Sequence, residues 1–471
     1  MSFTNVWNRM MHRPAGARRR KAHRTAAFPR RRFLPQIEIL EQRTVLSTWT
    51  VTSPADSGDG SLRAMIAAAQ DGDQIVFDPS LQGQTITLTS GQLAITKSLD
   101  IEGLGAHNLA VSGNHASRIF DISGGVTVTI AGLTITEGQF VGSNNNSGGG
   151  GILNTGSTLA LAHDVLSHNQ ALGLGSIQIL GGAILSTSVA TLTVTDSLFA
   201  DNQAIGGTDI PRGGNGYGGA IDYLSSSLTA SDSTFVGNQA IGGPNGGGAA
   251  GGAIAATAAT GFTTTIQHCN FIANQARGGD GGVPTPTAPN IGTGQGGAIA
   301  TGGASLIVDT TFTANRAIGG IGGIGGSGIT TDDYTVDSGI GGAIQDIGAT
   351  GHTTVSGSVF TDNQAIGGSN ATDGAVGLGV VGNGFGGAWH VSNGRTAVVT
   401  DSTFNHNEAL GGSSNTGASH DLSVGAGRGG AIYVGPGANP SYAVRTIFSG
   451  FWRQFSAQVL NWQRDVCQSV L

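Results

Sequence analysis

The chain is poor in cysteine, proline, aromatic residues and charge, and each shortage excludes a class of protein. Its 471 residues include 2 Cys, 12 Pro and only 11% charged residues. Two cysteines in unrelated contexts make no disulfide framework, and glycine without a strict period of three, with so little proline, excludes a collagen helix. No apolar run approaches the roughly 18 residues of a membrane-spanning helix, so no transmembrane segment is predicted.

Glycine, in contrast, is abundant and recurs in a pattern. The chain has 82 Gly interleaved with alternating Val, Ile, Leu and Thr, which excludes a wholly disordered chain. Seven times a Gly-Gly-small-hydrophobic step is followed by Phe or Leu and then Asn, in the spacing F-x-x-N. From the small residue to the Asn is 17 to 21 positions, whereas the stretch to the next Gly-Gly varies much more. Such alternation of a constant and a variable half indicates a solenoid coil with an outward loop.

The predicted fold is therefore all-β, a right-handed parallel β-helix (solenoid) of about ten coils with a short N-terminal helical cap. The segment Thr191–Thr195 alternates Thr with Leu and Val, as a strand with one buried face does. Coils stacked at about 4.8 Å bring equivalent positions together. The expected structural ladders are Phe199, Phe235, Phe271, Phe312, Phe360 and Phe404, and Asn169, Asn202, Asn238, Asn274, Asn315, Asn363 and Asn407.

Each ladder has an expected physical role. Phenylalanines stacked between like neighbours should form the core. The asparagines should lie at sharp turns, because Asn tolerates the left-handed conformation and its amide can bond backbone groups and the next amide. The variable halves, such as Gly278–Gly297 and Gly319–Gly342, should project as loops from one side of the rod. We expect them to be dispensable for folding.

Charge divides the chain. Residues 1–47 hold 11 of the 22 Lys and Arg and two acids, a net charge of +9, which leaves −16 for the remainder. We predict a basic, disordered export leader over 1–47, a cap with the first coils over 48–103, the β-helix over 104–437, and a divergent tail over 438–471 that is either a cap or a truncated end. A nucleic-acid-binding arm is the rival interpretation of the leader. Export is preferred, and no nucleic-acid partner is predicted.

The chain resembles known bacterial proteins in three places, and the first of them is the reason for preferring export. The segment Arg30–Ser47 (RRRFLPQIEILEQRTVLS) resembles the LEPR-XLL motif of large exported bacterial proteins. The segment Ser61–Gly103 resembles the CSLREA-type module at the start of bacterial β-helix proteins, and Ser61–Gln70 within it is rich in helix formers behind a possible N-cap Ser. The Gly-Gly-Ala-Ile and F-x-x-N pairs resemble the repeats of the chlamydial polymorphic membrane proteins, which implies a β-helix, surface exposure and adhesion.

Acids recur three residues before the Phe. The column contains His163, Asp196, Asp232, His268, Asp309, Gly357 and Asp401. Carboxylates on neighbouring strands of β-helix enzymes bind Ca²⁺ or act as acid and base on a sugar chain. After the leader, however, Lys97 is the only lysine and no Arg recurs near the column. We interpret the column as turn-forming and solvated, and likewise the loop acids Asp332, Asp333 and Asp337.

The predicted function is that of an exported, non-catalytic surface or extracellular-matrix protein, adhesin-like through its loop face. The alternative is a carbohydrate-active β-helix enzyme, either a polysaccharide lyase or a hydrolase. The expected partner is a surface polysaccharide or another cell-surface protein. The histidines show no metal-ligand spacing, so no metal, cofactor or catalytic residue is predicted, and the binding residues are left open.

Overall fold

The computed structural model describes residues 46–208, 212–256, 261–285, 290–325, 335–347, 351–372, 380–417, 424–435, 438–442 and 447–449. The predicted leader therefore falls almost entirely outside the described residues, as does the tail beyond 449. Within the described residues the chain forms one α-helix, Leu62–Ala68, one 3-10 turn, Pro79–Leu81, and a long series of parallel strands.

One coil illustrates the architecture. It runs through Ile184–Thr187, Thr191–Thr195, Leu198–Ala200, Gln203–Ile205 and Gly216–Tyr217. Each of these strands pairs in parallel with its equivalents in neighbouring coils, for example Phe199 with Phe235. The predicted parallel β-helix is thus confirmed by the strand pairing.

Five sheets result, named here in their order along a coil. The first sheet contains Leu93–Ile95, Phe120–Ser123, Ile152–Thr155, Ile184–Thr187, Ile221–Leu224, Ile254–Ala255, Ile299–Thr301, Ile344–Asp346, Trp389–Val391 and Ile432–Val434. The second contains Thr48–Val51, Asp73–Phe77, Leu99–Glu102, Thr127–Ala131, Thr158–Ala162, Thr191–Thr195, Ser227–Ser231, Thr263–Gln267, Ala304–Val308, His352–Ser356, Thr396–Thr400 and Asn439–Tyr442. The third contains Gln84–Thr87, Leu109–Ser112, Thr134–Thr136, Val165–Ser167, Leu198–Ala200, Thr234–Val236, Asn270–Ile272, Thr311–Thr313, Val359–Thr361, Thr403–Asn405 and Ile447–Ser449.

The other two sheets begin later in the chain. The fourth contains Gln139–Gly142, Gln170–Gly173, Gln203–Ile205, Gln239–Ile241, Gln275–Arg277, Arg316–Ile318, Gln364–Ile366 and Glu408–Leu410. The fifth contains Ser147–Gly148, Ile179–Leu180, Gly216–Tyr217, Ala249–Ala250, Gly294–Gln295, Gly339–Ile340, Gly384–Phe385 and Gly427–Arg428. A separate pair, Thr335–Val336 and Val380–Val381, forms a two-stranded sheet within the glycine-rich insertions.

The helix lies inside the first coil, between strands Thr48–Val51 and Asp73–Phe77. It begins where the sequence predicts, because the Ser61 side chain caps it by accepting from the Ala64 amide. Its Leu62 and Ile66 side chains are buried in the main core, so the helix is anchored to the solenoid by hydrophobic burial.

The phenylalanines form an uninterrupted stack inside the solenoid. Ring centroids from Phe199 to Phe404 are 4.5 to 5.0 Å apart and the planes differ by at most 12°. All six side chains are fully buried. Their separation follows the strand spacing of parallel sheets, and burial stabilises each by about 1.5–3 kcal/mol.

The asparagines lie beside this stack, also buried. Asn238 is typical: its Nδ2 donates to Asn274 Oδ1 at 3.0 Å and to the Phe199 carbonyl at 2.9 Å, while its own Oδ1 accepts from the amide and Nδ2 of Asn202. The expected left-handed conformation at Asn was wrong. The positive φ belongs to the residue before it, for example Asp201 at 53°, because the chain turns there and leaves Asn free to face inward.

The Gly-Gly step meets two separate requirements. Gly218 has φ +62°, where other residues are strained. A Cβ on Gly219 would lie 2.1 Å from the Gly252 carbonyl oxygen and 2.4 Å from the Gln239 amide nitrogen. The first glycine therefore lets the chain turn, and the second lets the backbone of the fourth sheet pack directly against it.

The solenoid extends beyond its predicted end at 437. Strand Asn439–Tyr442 pairs with Thr396–Val399, and Ile447–Ser449 pairs with Thr403–Asn405. Phe448 occupies the register position next to Phe404. The sequence pattern missed it because Phe451, and not Asn, lies three residues after Phe448.

Candidate functional site

Two columns of left-handed residues border the narrow third sheet. The first turn column, which follows the second sheet, consists of His163, Asp196, Asp232, His268, Asp309, Gly357 and Asp401. The second turn column, which follows the third sheet, consists of Glu137, His168, Asp201, Gly237, Ala273, Ala314, Asp362 and His406. Each column supplies the residue at which the chain turns, and in the first column this residue is always Asp, His or Gly. The turn-forming interpretation of the acids is thus correct.

The polar side chains of these columns point into solvent. Those that form ion pairs are between 54% and 68% exposed. The closest contact joins His163 Nδ1 and Asp196 Oδ2 at 2.8 Å. Because exposed pairs are screened by water, each is worth at most about 1 kcal/mol. Their regular spacing therefore presents functional groups without contributing much stability.

One histidine lies in line between two carboxylates. His268 Nδ1 is 3.7 Å from Asp232 Oδ1, and its Nε2 is 3.6 Å from Asp309 Oδ2. This triad spans three successive coils of the first turn column. Neither separation is a hydrogen bond in this structure, but small side-chain rotations would make either one.

Nothing in the described residues adds a cation to this surface. No Lys or Arg forms an ion pair with a carboxylate of either turn column, and no group of three His, Cys, Asp or Glu converges as a metal site within the described ranges. Between the columns the third sheet presents short polar and aliphatic side chains, such as Thr234, Val236, Thr311 and Thr313. This arrangement suits repeated contact with an extended partner.

A third ladder, which sequence analysis missed, lies beneath the first turn column. Its members are Asp164, Ser197, Ser233, Cys269, Thr310, Ser358 and Ser402, all buried. Ser358 is typical, since its Oγ accepts from the Thr310 amide at 3.2 Å and donates to the Ser356 carbonyl at 2.9 Å. The signal was the small polar residue two positions before each Phe.

Two members of this ladder have side chains whose pKa is raised. Burial raises the pKa of the Cys269 thiol to about 11, which makes it a poor nucleophile. Burial also raises the pKa of Asp164 to about 7, although its carboxylate accepts from the Leu133 amide at 2.8 Å. Both face the interior, where no substrate reaches them.

A buried ion pair stabilises the C-terminal coils. Asp346 Oδ1 accepts from Thr353 Oγ1 at 2.8 Å, and Arg395 Nη2 lies 3.8 Å away. Arg395 also donates to the Gly302 and Gly303 carbonyls at 2.9 and 3.1 Å. Burial raises the pKa of Asp346 to about 6, and Arg395 opposes that rise. The pair ties distant segments together within the core.

The glycine-rich insertions, all between the fourth and fifth sheets, are not simple outward loops. Their inner parts stack into a second layer, with Ile291, Val336, Ala371 and Val381 fully buried in a separate small core. Asp337 is also fully buried, so its prediction as a solvated loop acid was wrong, while Asp332 and Asp333 fall outside the described residues. We call this the glycine-rich layer. Other described residues of the layer are exposed, such as Val283, Ile321 and Ile324.

The chain was compared with known proteins. No protein-family model and no curated protein matches it. Among solved structures it is similar to the pectate lyase Pel9A, with 13% identity over 85% of this chain and 79% of that chain and a TM-score of 0.38. It is also similar to the PL6 family alginate lyase AlyGC (11% identity, 85% and 53% covered, TM-score 0.35) and to the polygalacturonase from Erwinia carotovora ssp. carotovora (11%, 88% and 99%, 0.27). Because these identities and TM-scores are low, the assignment of the β-helix fold rests on the strand pairing described above.

In the portions of the chain that the structure describes, none of the helical segments has the length and apolar character required to cross a bilayer.

Proposed function

We propose that this protein is an exported, non-catalytic β-helix of the cell surface or extracellular matrix that binds an extended partner through its turn columns. The observation that carries the proposal is the repetition of exposed carboxylates and imidazoles along both edges of the third sheet. Each contact is weak alone, but contacts at successive coils act together on a partner that follows the axis. A surface polysaccharide or a cell-surface protein fits this geometry.

The position of the shifted acids argues against catalysis. Acid–base work on a sugar needs two groups that flank the bond, one of them with a raised pKa. Here the acids with raised pKa, Asp164, Asp337 and Asp346, are all buried. The exposed Asp196 and Asp232 lie on a convex turn, and no cleft encloses them within the described residues.

We also propose that the protein is exported. It is supported by the LEPR-XLL-like residues of the leader and by the agreement between the repeat motif and the coil. The Gly-Gly of the motif lies at the turn before the first sheet, and its Phe and Asn lie inside, as expected for a chain related to polymorphic membrane proteins.

Binding is tested with the full-length protein on immobilised acidic and neutral polysaccharides, with and without Ca²⁺. The matched variant is Asp196→Asn/Asp232→Asn/Asp309→Asn, because Asn keeps the left-handed turn and removes the charge. We expect retention of the wild type on at least one polysaccharide, at least tenfold weaker retention of the variant, and no release of reducing ends or unsaturated sugars. Equal retention of both proteins on every surface would refute binding through the turn columns.

A carbohydrate-active enzyme is the second candidate, favoured by the in-line Asp232, His268 and Asp309. An imidazole between two carboxylates is a general-base candidate for a proton of a sugar ring. Soluble product that appears with the wild type and disappears in His268→Asn, with the circular dichroism spectrum unchanged, would establish this function in place of the first.

A further inference from the structure

The glycine-rich layer contains an acid in an unusual place. Asp337 directly follows strand Thr335–Val336, with φ +49°, and its side chain is fully buried beside the second core. Its backbone continues the layer, since its amide donates to the Ile291 carbonyl at 3.0 Å and its carbonyl accepts from the Gly368 amide at 2.7 Å. The residue therefore joins three successive insertions.

The carboxyl group of Asp337 has few hydrogen-bond partners. Oδ2 accepts from the Gly323 amide at 2.6 Å, whereas Oδ1 has no hydrogen-bond partner among the described residues. For a carboxylate this is unfavourable, because an ionised oxygen without partners in an apolar interior carries a large desolvation penalty. A neutral carboxyl avoids that penalty.

The described glycines around the carboxyl pack close to both of its oxygens. A Cβ on Gly292 would lie 2.0 Å from Oδ1, and one on Gly320 would lie 3.0 Å from it. A Cβ on Gly323 would lie 2.8 Å from Oδ2. The glycines thus enclose the carboxyl closely, and a calcium ion would need six or more oxygen ligands at about 2.3–2.6 Å.

The charges that face this carboxyl favour the neutral form as well. Asp280, from the preceding insertion, is the charged neighbour, and its own carboxylate is held by Arg277 Nη2 at 2.9 and 3.0 Å. Among the described residues, the other segments packed here carry no ionisable side chain: Ile291–Gly294, Gly319–Gly323, Gly367–Asn370 and Val380–Asn383. Burial first, and Asp280 second, raise the pKa of Asp337 to about 7.

We propose that Asp337 is a proton-dependent lock of the glycine-rich layer, which holds the second core closed while the carboxyl is neutral and lets it open when the carboxyl ionises. When the proton leaves, the charge gains hydration only by moving out of the glycine enclosure. That movement separates Thr335–Val336 from its partner strand Val380–Val381 and exposes the second core. The main solenoid, with its own ladders, stays closed.

The direction of the pH dependence follows from the linkage between proton binding and opening of the layer. An acid whose folded pKa is raised from 3.8 to about 7 binds more protons when closed than when open, so it stabilises the closed layer fully below 3.8 and loses that effect as pH rises through 7. Between pH 6 and pH 8 the opening constant should increase about tenfold.

Hydrogen exchange of the full-length protein, followed by mass spectrometry at pH 6 and pH 8 with times scaled to intrinsic rates, tests this. Peptides over 335–340 and 380–385 report the layer, and peptides over 227–241 report the main core. We expect protection of the layer to fall about tenfold at pH 8 in the wild type and to stay constant in Asp337→Asn, which fits the left-handed position without a charge.

The exposed Asp59→Asn, which lies outside the turn columns, is the control and should keep the wild-type response. The wild-type result decides by itself if Asp337→Asn misfolds: a layer equally protected at both pH values overturns the lock. The lock is also overturned if Asp337→Asn folds and still loses protection at pH 8, or if the core peptides respond as strongly as the layer.

Discussion

Replacing Asn238 with alanine is the sharpest test of the asparagine ladder. The variant removes the Oδ1 that accepts from the amide and Nδ2 of Asn202 at 3.1 and 2.9 Å, and the Nδ2 that reaches the Phe199 carbonyl. Three buried groups then lose a hydrogen-bond partner, and Asn274 Oδ1 keeps only one of its two donors, the residue-238 amide. At about 1–2 kcal/mol for each unpaired group, the free energy of unfolding should fall by about 3–6 kcal/mol.

Urea denaturation followed by both far-ultraviolet circular dichroism and tryptophan fluorescence measures this loss, with coincident transitions as the test of cooperativity. The matched control is Gln239→Ala, one residue along, where the Gln203 Nε2 contact at 3.3 Å is only partly buried. That change should alter stability by less than about 0.5 kcal/mol. If Asn238→Ala unfolds with the same midpoint as the control, the ladder does not stabilise the solenoid.

Four further outcomes are expected. Phe235→Ala should lower stability by about 3–5 kcal/mol through a cavity between Phe rings, and a melting temperature equal to wild type would contradict this. Cys269 should react with thiol reagents only after unfolding, since it is 1% exposed with a pKa of about 11; rapid labelling of the native protein would count against its burial. Arg395→Met should destabilise more at pH 8 than at pH 5, because Asp346 then lacks its partner and must be buried as a charge at high pH, whereas a loss independent of pH would point to packing alone. Removing residues 1–47 should leave the circular dichroism spectrum unchanged but keep the protein inside the cell, and secretion of the truncated chain would disprove the export leader.

The main core could be predicted from the sequence because its residues recur at the same position in every coil. Phe, Asn and Gly-Gly keep their mutual spacing, and stacking places equal positions side by side. The second turn column escaped notice for the opposite reason. A left-handed turn accepts Glu137, Ala273 and Asp362 alike, so the position has no residue signature.

The glycine-rich layer left a signal that sequence analysis missed. Ile291, Val336 and Val381 come from insertions of different length, but each lies three residues before the first glycine of a fifth-sheet strand. They meet because each insertion leaves the solenoid between the same two sheets. The acid Asp337 was interpreted as solvated because it follows two other acids, and local composition does not reveal a core that three coils build together.

The asparagine ladder also has a direction. From Asn169 to Asn363 every Nδ2 donates to the Oδ1 of the following coil, and the first Oδ1, that of Asn169, accepts from the Gly138 amide. These amide-to-amide bonds therefore all run the same way along the axis. A cut between two of these coils would leave the Nδ2 donors of the broken amide-to-amide bond on one face and its Oδ1 acceptor on the other. That bond re-forms only when the two faces meet head to tail.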